Sequence, residues 1–306
     1  MNQSESSIKE STNGIAKRIS RVGFLVLLSV IWGLAFVAIR KADQELSPVN
    51  LALLRWFVAS AGFLAIIPFL GKPKIRFEAK KDLPRLLIIS LCNVAVYHLS
   101  LNFAEKTVSA GLAGLLISLN PIFVALFSVF LLKERIRKEL AFAIIIALAG
   151  AAILAVPDLG SSSSLLGVLG VVVAALSYSI FSVLSKPLVH KYGAAPLTIW
   201  AGLLGTLMLL PLLPFSNFAP QVASLSLDGW LSVLYLSILS TVVGYTMFYT
   251  LVSRGAVSKL SVQLYLVPVV SVIGGVILLG EGVGVYTIAG GALLLASIAL
   301  ATRSKS

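Results

Sequence analysis

Charge is scarce in this chain. Only 12% of its 306 residues are Asp, Glu, Lys or Arg, against 58% hydrophobic, and the mean hydropathy is +1.01. A soluble domain of this length needs charges spread along every helix, whereas here they gather in short clusters, so the composition excludes a water-soluble fold and indicates a polytopic membrane protein. The single cysteine, Cys92, rules out an intrachain disulfide and reads as a packing residue. The two histidines are His98 and His190, and all four aspartates (Asp43, Asp82, Asp158, Asp228) fall in or beside connections. That leaves no metal-ligand spacing, and no G-x-S-x-G is present, so an intramembrane enzyme lacks its parts. The sequence predicts no cofactor, and with no ATP-binding motif any transport is facilitated or coupled to an ion gradient.

Acidic residues are half as numerous as basic ones, giving a net charge of +12. A nucleic-acid reading of that excess requires a basic face on a soluble domain, and the placement of the charges removes it. Apolar runs long enough to span a bilayer, ~17–25 residues each, fall at about 22–40, 49–70, 84–104, 109–132, 138–156, 165–186, 195–215, 229–252, 257–279 and 283–302. With these ten spans, twenty Lys and Arg lie on the side of the two termini and three (Arg40, Lys41, Lys106) on the other, with Arg55 inside a span. By the positive-inside rule both termini are cytoplasmic, in a multi-pass protein of the plasma membrane. Residues 1–21 are polar and Ser-rich and read as a disordered cytoplasmic tail. No large extramembrane domain remains, so function lies within the bundle.

The chain also reads as one unit written twice. Leu132–Lys133–Glu134 and Leu279–Gly280–Glu281 lie 147 positions apart, and each glutamate follows a proline, Pro121 or Pro268, by 13 residues. Trp32 with Tyr178, Arg40 with Lys186, Tyr97 with Tyr245, and Leu148–Ala149 with Leu295–Ala296 keep nearly the same offset. The expected units are residues 22–156 and 165–302. Five spans per unit, an odd number, turn the second upside down relative to the first: an all-α membrane protein of two inverted five-helix repeats, a layout that can expose a central site to either side in turn. Pro121 and Pro268 are expected to break spans four and nine, each freeing a carbonyl that protein or cavity water must satisfy, or else simply to kink the helices for packing.

Within the spans, polar and aromatic residues mark the candidate site. In span three Asn93, Tyr97 and Ser100 share one face and His98, Asn102 and Glu105 a nearly opposite one. The tyrosine pair Tyr97 and Tyr245, with Trp32 and Tyr178 above and below and with Gln263 and Tyr265 in span nine, suggests an aromatic, mostly neutral cavity for a small amphipathic solute. The alternative is that both tyrosines only pack. His98 is either a satisfied packing residue or one that titrates during transport. Arg55 either snorkels or pairs with Glu105, or else recognises a substrate carboxylate. Glu134 and Glu281 are expected to cap the helices that follow them, spans five and ten, with gating or proton coupling as the alternative role.

Trp32–Gly33, Arg55, Ala104 with Thr107–Leu112, Asn120–Pro121 and Leu131–Arg135 form an ordered set. Ser253–Ala256, Pro268 and Leu278–Glu281 follow in the second unit. In this set the chain resembles the EamA group of the drug/metabolite transporter superfamily. The resemblance implies a ten-helix inverted-repeat carrier that moves small organic solutes, commonly outward and including amino acids, as a monomer or a homodimer. It transfers no particular substrate. The implied partners are a small-molecule substrate and the lipid bilayer, with no nucleic acid. A proton-coupled importer is the alternative.

Overall fold

The computed structural model describes residues 3–70, 79–132, 138–156, 162–253 and 261–303, and all of the regular structure among them is helical. Helix α1 (Gln3–Ala42) leads through a tight turn to α2 (Pro48–Ile66), which starts on Pro48 with the Ser47 hydroxyl accepting from the Asn50 N–H. Next come α3 (Ala79–Ser90), α4 (Tyr97–Glu105), α5 (Ala110–Ile117), α6 (Asn120–Leu132) and α7 (Lys138–Ala155). The chain continues through α8 (Ser162–Tyr192), α9 (Ala194–Leu209), α10 (Phe218–Ala223), α11 (Leu227–Leu234), α12 (Gly244–Ser253), α13 (Ser261–Leu279) and α14 (Val285–Arg303). Seven of the resulting rods are long and apolar enough to cross a membrane, and Ala141–Ala155, Leu266–Leu279 and Val285–Leu300 are shorter apolar helices at the three remaining places where the sequence suggests a span.

Two of those rods are interrupted in a matched way. Residues Leu91–Val96 between α3 and α4, and Tyr235–Val243 between α11 and α12, wind as π-helix. A π turn shifts the register of the side chains that follow, and such segments concentrate at functional sites. Tyr97 follows the first segment directly and Tyr245 follows the second after Gly244, so a matched distortion aims each of them.

The structure departs from the sequence expectations at several points. Although residues 1–21 read as a disordered tail, α1 is helical from Gln3, and no proline interrupts that stretch. Span four is broken as expected: α5 stops at Ile117, and α6 restarts at Asn120 with Pro121 in its first turn, where a missing N–H costs nothing. Span nine is not broken. Pro268 lies inside the continuous helix α13, and the nearby Ser271 hydroxyl donates to the Pro268 carbonyl at 2.8 Å. The proline pair therefore does different work in its two copies. Glu134 lies outside the described residues, as do the side chains of Gln263 and Tyr265.

Packing is inside-out in the manner of a bilayer protein. Phe130, Phe142, Ile145, Leu166, Leu207, Ile277 and Ile288 point outward, while Asn50, Asn93, Asn102, Ser237 and Thr241 are buried. The helices pack in exchanged pairs: α7 along α14, α1 along α13, α2 against α9, and α8 against α4, α5 and α6. Contacts of this kind rest on van der Waals fit and small residues rather than on hydrophobic burial. At the α7–α14 crossing the two backbones nearly touch. A Cβ on Gly290 would sit 2.7 Å from the Gly150 carbonyl oxygen, and one on Gly150 would sit 2.9 Å from that of Gly290. Backbone cannot yield as a side-chain tip can. Gly290→Leu is therefore expected to destabilise the fold by about 1–3 kcal/mol through overpacking. Gly282→Leu, whose Cβ would meet nothing within 4 Å, serves as the control, and thermal unfolding of the two variants in detergent makes the comparison.

Candidate substrate site

Trp32 of α1 meets Tyr245 of α12 edge-on, with ring centroids 5.8 Å apart, and Tyr97 of α4 meets Tyr178 of α8 at 5.5 Å. In each pair one ring comes from the first half of the chain and one from the second, and the pairs exchange partners: Trp32 corresponds to Tyr178 and Tyr97 to Tyr245. The structure therefore brings together the four aromatic residues that the repeat offset singles out. The two tyrosines do not stack on each other directly. They are linked through Asn93, which accepts from the Tyr245 hydroxyl at 3.3 Å and lies one turn before Tyr97.

The π segments hold this arrangement in place. A π turn replaces the i→i+4 backbone bond with an i→i+5 bond and loosens the ladder, which leaves its carbonyls open to further donors from side chains. At the second segment Trp32 Nε1 donates to the Ser240 carbonyl at 3.0 Å; at the first, the Ser177 hydroxyl donates to the Cys92 carbonyl at 2.7 Å. Both donors cross from the opposite half. Thr241 satisfies its own segment, its hydroxyl donating to the Leu236 carbonyl five residues back at 2.7 Å.

Both polar faces of span three turn inward. Asn93, His98, Asn102 and Glu105 are all buried. His98 packs edge-on against Tyr97 at 4.8 Å and Trp56 at 5.3 Å, and neither ring nitrogen has a hydrogen-bond partner. Arg55 does not pair directly with Glu105. Its Nε and Nη2 instead donate to Thr241 Oγ1 at 3.2 and 3.1 Å, while the two Glu105 carboxylate oxygens have no hydrogen-bond partner. The π turn explains this outcome, because it rotates Thr241 towards α2, a displacement that helical spacing alone does not anticipate.

Sequence reasoning passes over a second cluster at the α1–α2 turn. Asp43 is 4% exposed and lies close enough to Glu105 for the two carboxylates to repel. Burial pushes the Asp43 carboxyl up to about 7, with Lys106 and Arg40 drawing it back down. Lys106 donates to the Asp43 and Leu46 carbonyls and Arg40 to the Glu105 carbonyl, so the cations clasp backbone. The hint in the sequence was the acidic residue at each end of a connection beside a basic one. Among the described residues no three His, Cys, Asp or Glu side chains gather as a metal site.

Glu281 corrects a second expectation. It caps span four, not span ten: its carboxylate accepts from the Ala110 N–H at 2.7 Å and the Gly111 N–H at 3.1 Å, the first donors of α5. Gly280, at φ +68°, ends α13 in the left-handed conformation and turns the chain back, and Gly275 leaves the room into which the carboxylate folds. The Leu-Gly-Glu motif is therefore a clasp between the halves. Glu281→Ala is expected to lower the unfolding temperature clearly more than Glu281→Gln, whose amide oxygen still accepts, with a stability loss of about 0.5–2 kcal/mol for the lost cap. Tyr97→Phe and Tyr245→Phe, each removing one hydroxyl, are expected to express normally and change apparent affinity or substrate range in transport assays. The double Ala variant should impair transport severely.

The model of the EamA-like transporter family matches this chain twice, at residues 20–156 and 165–303. An uncharacterized transporter of Archaeoglobus fulgidus is 37% identical, covering 92% of this chain and 98% of that protein. A probable terminal-alkyne amino-acid exporter of Streptantibioticus cattleyicolor is 31% identical over 91% and 92%. A probable amino-acid metabolite efflux pump of Escherichia coli is 29% identical over 84% and 86%. A solved crystal structure superposes with a TM-score of 0.66 at 20% identity, covering 94% of this chain and 98% of that one, which shows a shared fold. With its apolar helices and these relatives, the chain is an integral membrane transporter that belongs to the EamA-like family of the drug/metabolite transporter superfamily.

Proposed function

We propose that this protein exports small amphipathic organic solutes, amino acids or close metabolites among them, by alternating access of two inverted five-helix halves around the aromatic site. The observation that carries the reading is the exchange of partners at that site, Trp32 with Tyr245 and Tyr178 with Tyr97. Each half supplies one ring to each pair, so a rocking motion of the halves opens the site from either side while keeping its halves intact. The names of the exporter and efflux-pump relatives support both the direction and the solute class. The charge asymmetry supports ten spans with both termini in the cytoplasm, and the proposed location is the plasma membrane.

On that topology the Glu281–α5 clasp lies on the outer side, and its closure blocks outward exit. Coupling to protons is a second reading, favoured by the buried Asp43 beside Glu105. A counterflow screen of the reconstituted protein over amino acids and other small metabolites, with and without a pH gradient, tests both readings. Export needs saturable exchange of at least one solute. Rates indifferent to the gradient remove the proton-coupled version, and absence of exchange across the panel removes the carrier reading. Accessibility labelling of single-cysteine variants in a Cys92-free background is expected to reach 71–83 and both termini only from the cytoplasm. Labelling of the termini from opposite faces overturns the ten-span topology.

A further inference from the structure

We infer that Arg55 is the carboxylate receptor of this site, so that the transported solutes carry a carboxylate. The inference rests on the carrier reading above and adds the chemical class of the solute. Arg55 is 5% exposed, seven residues past the start of α2. A guanidinium has five N–H donors in a planar fork. Here Nε and Nη2 both converge on one neutral oxygen, Thr241 Oγ1. The hydroxyl proton of Thr241 is committed to the Leu236 carbonyl, which turns the oxygen lone pairs to the cation. The remaining guanidinium donors meet no acceptor among the described residues, and no carboxylate there bonds Arg55.

A desolvated cation held by a single hydroxyl lacks the charge compensation that burial demands. Glu105 lies within electrostatic range without bonding to it. His98, also within electrostatic range of Arg55, is 1% exposed, and neither ring nitrogen is partnered. Two buried polar groups with spare hydrogen-bonding capacity thus stand beside the aromatic pairs. A planar carboxylate accepting two parallel N–H bonds fits the free edge of the fork. The rest of the solute then lies against Tyr97, Tyr245 and Trp32.

The position equivalent to Arg55 in the second half is Gly202, where a Cβ would meet Trp56 at 3.1 Å and Phe63 at 3.5 Å. The site therefore offers one cation, which suits a monocarboxylate such as an α-amino acid. Arg55 belongs to the first half and Thr241 to the second, so the bound carboxylate sits on a contact between the halves.

Intrinsic-fluorescence titration of the full chain in nanodiscs tests this with matched probes: L-leucine, L-phenylalanine and L-threonine, their amides, and the amines left by decarboxylation. At least one acid is expected to bind about tenfold or more tightly than its amide, as loss of a charged hydrogen-bond partner requires. Arg55→Gln should erase that ratio, and Arg55→Lys, a point charge without the fork, should retain part of it. Equal affinity for acids and amides overturns the inference, as does an Arg55→Gln variant that unfolds normally and keeps the ratio. The wild-type comparison needs no variant, so misfolding of Arg55→Gln leaves the test intact. Binding of amides or amines alone overturns the inference while the carrier reading stands.

Discussion

A carbonyl released from a helix inside a bilayer has to find its donor within the protein, and much of this structure follows from where those donors are. The two π segments, Leu91–Val96 and Tyr235–Val243, strain the helical ladder at matched points of spans three and eight. Their carbonyls are met by Ser177 and Trp32, each from the opposite half. The Cys92 carbonyl also accepts from the Tyr97 N–H of its own helix, so the Ser177 bond adds a second donor and ties the two halves together there. The halves therefore depend on each other through hydrogen bonds at the place where the aromatic residues gather.

The same interdependence recurs at the end of the bundle where α13 finishes and α5 begins. Glu281 closes the exposed N-terminus of α5 from across the half boundary, using the left-handed turn at Gly280 and the space at Gly275. These contacts are few and directional, whereas the crossing at Gly150 and Gly290 is a tight backbone fit.

Electrostatics inside the bundle is sparse and correspondingly specific. Arg55, Glu105, Asp43 and His98 are all buried, and none has an ion-pair partner among the described residues. Charges in a membrane interior persist where they serve a pathway. Two neighbourhoods emerge: Arg55 with His98 among the aromatic rings, and Asp43 with Glu105 at the α1–α2 turn.

The membrane class, the apolar helices and the pairing of Trp32, Tyr97, Tyr178 and Tyr245 as corresponding positions were legible from the chain alone, because hydropathy and a repeated offset are one-dimensional signals. Span four broke where Asn120–Pro121 said it would. What the chain could not reveal was phase. A π turn rotates every later side chain, so it decided that Arg55 bonds Thr241 rather than Glu105. Proline's effect also depends on its neighbours: Pro121 starts a helix, while Pro268 is absorbed into one with Ser271 close by. The partner of Glu281 lies 170 residues away in Gly111, a distance no local capping rule spans. Local periodicity selects the helices and the residues that matter; which of those residues meet is decided by how two helical halves satisfy each other's backbone in a solvent that cannot do it for them.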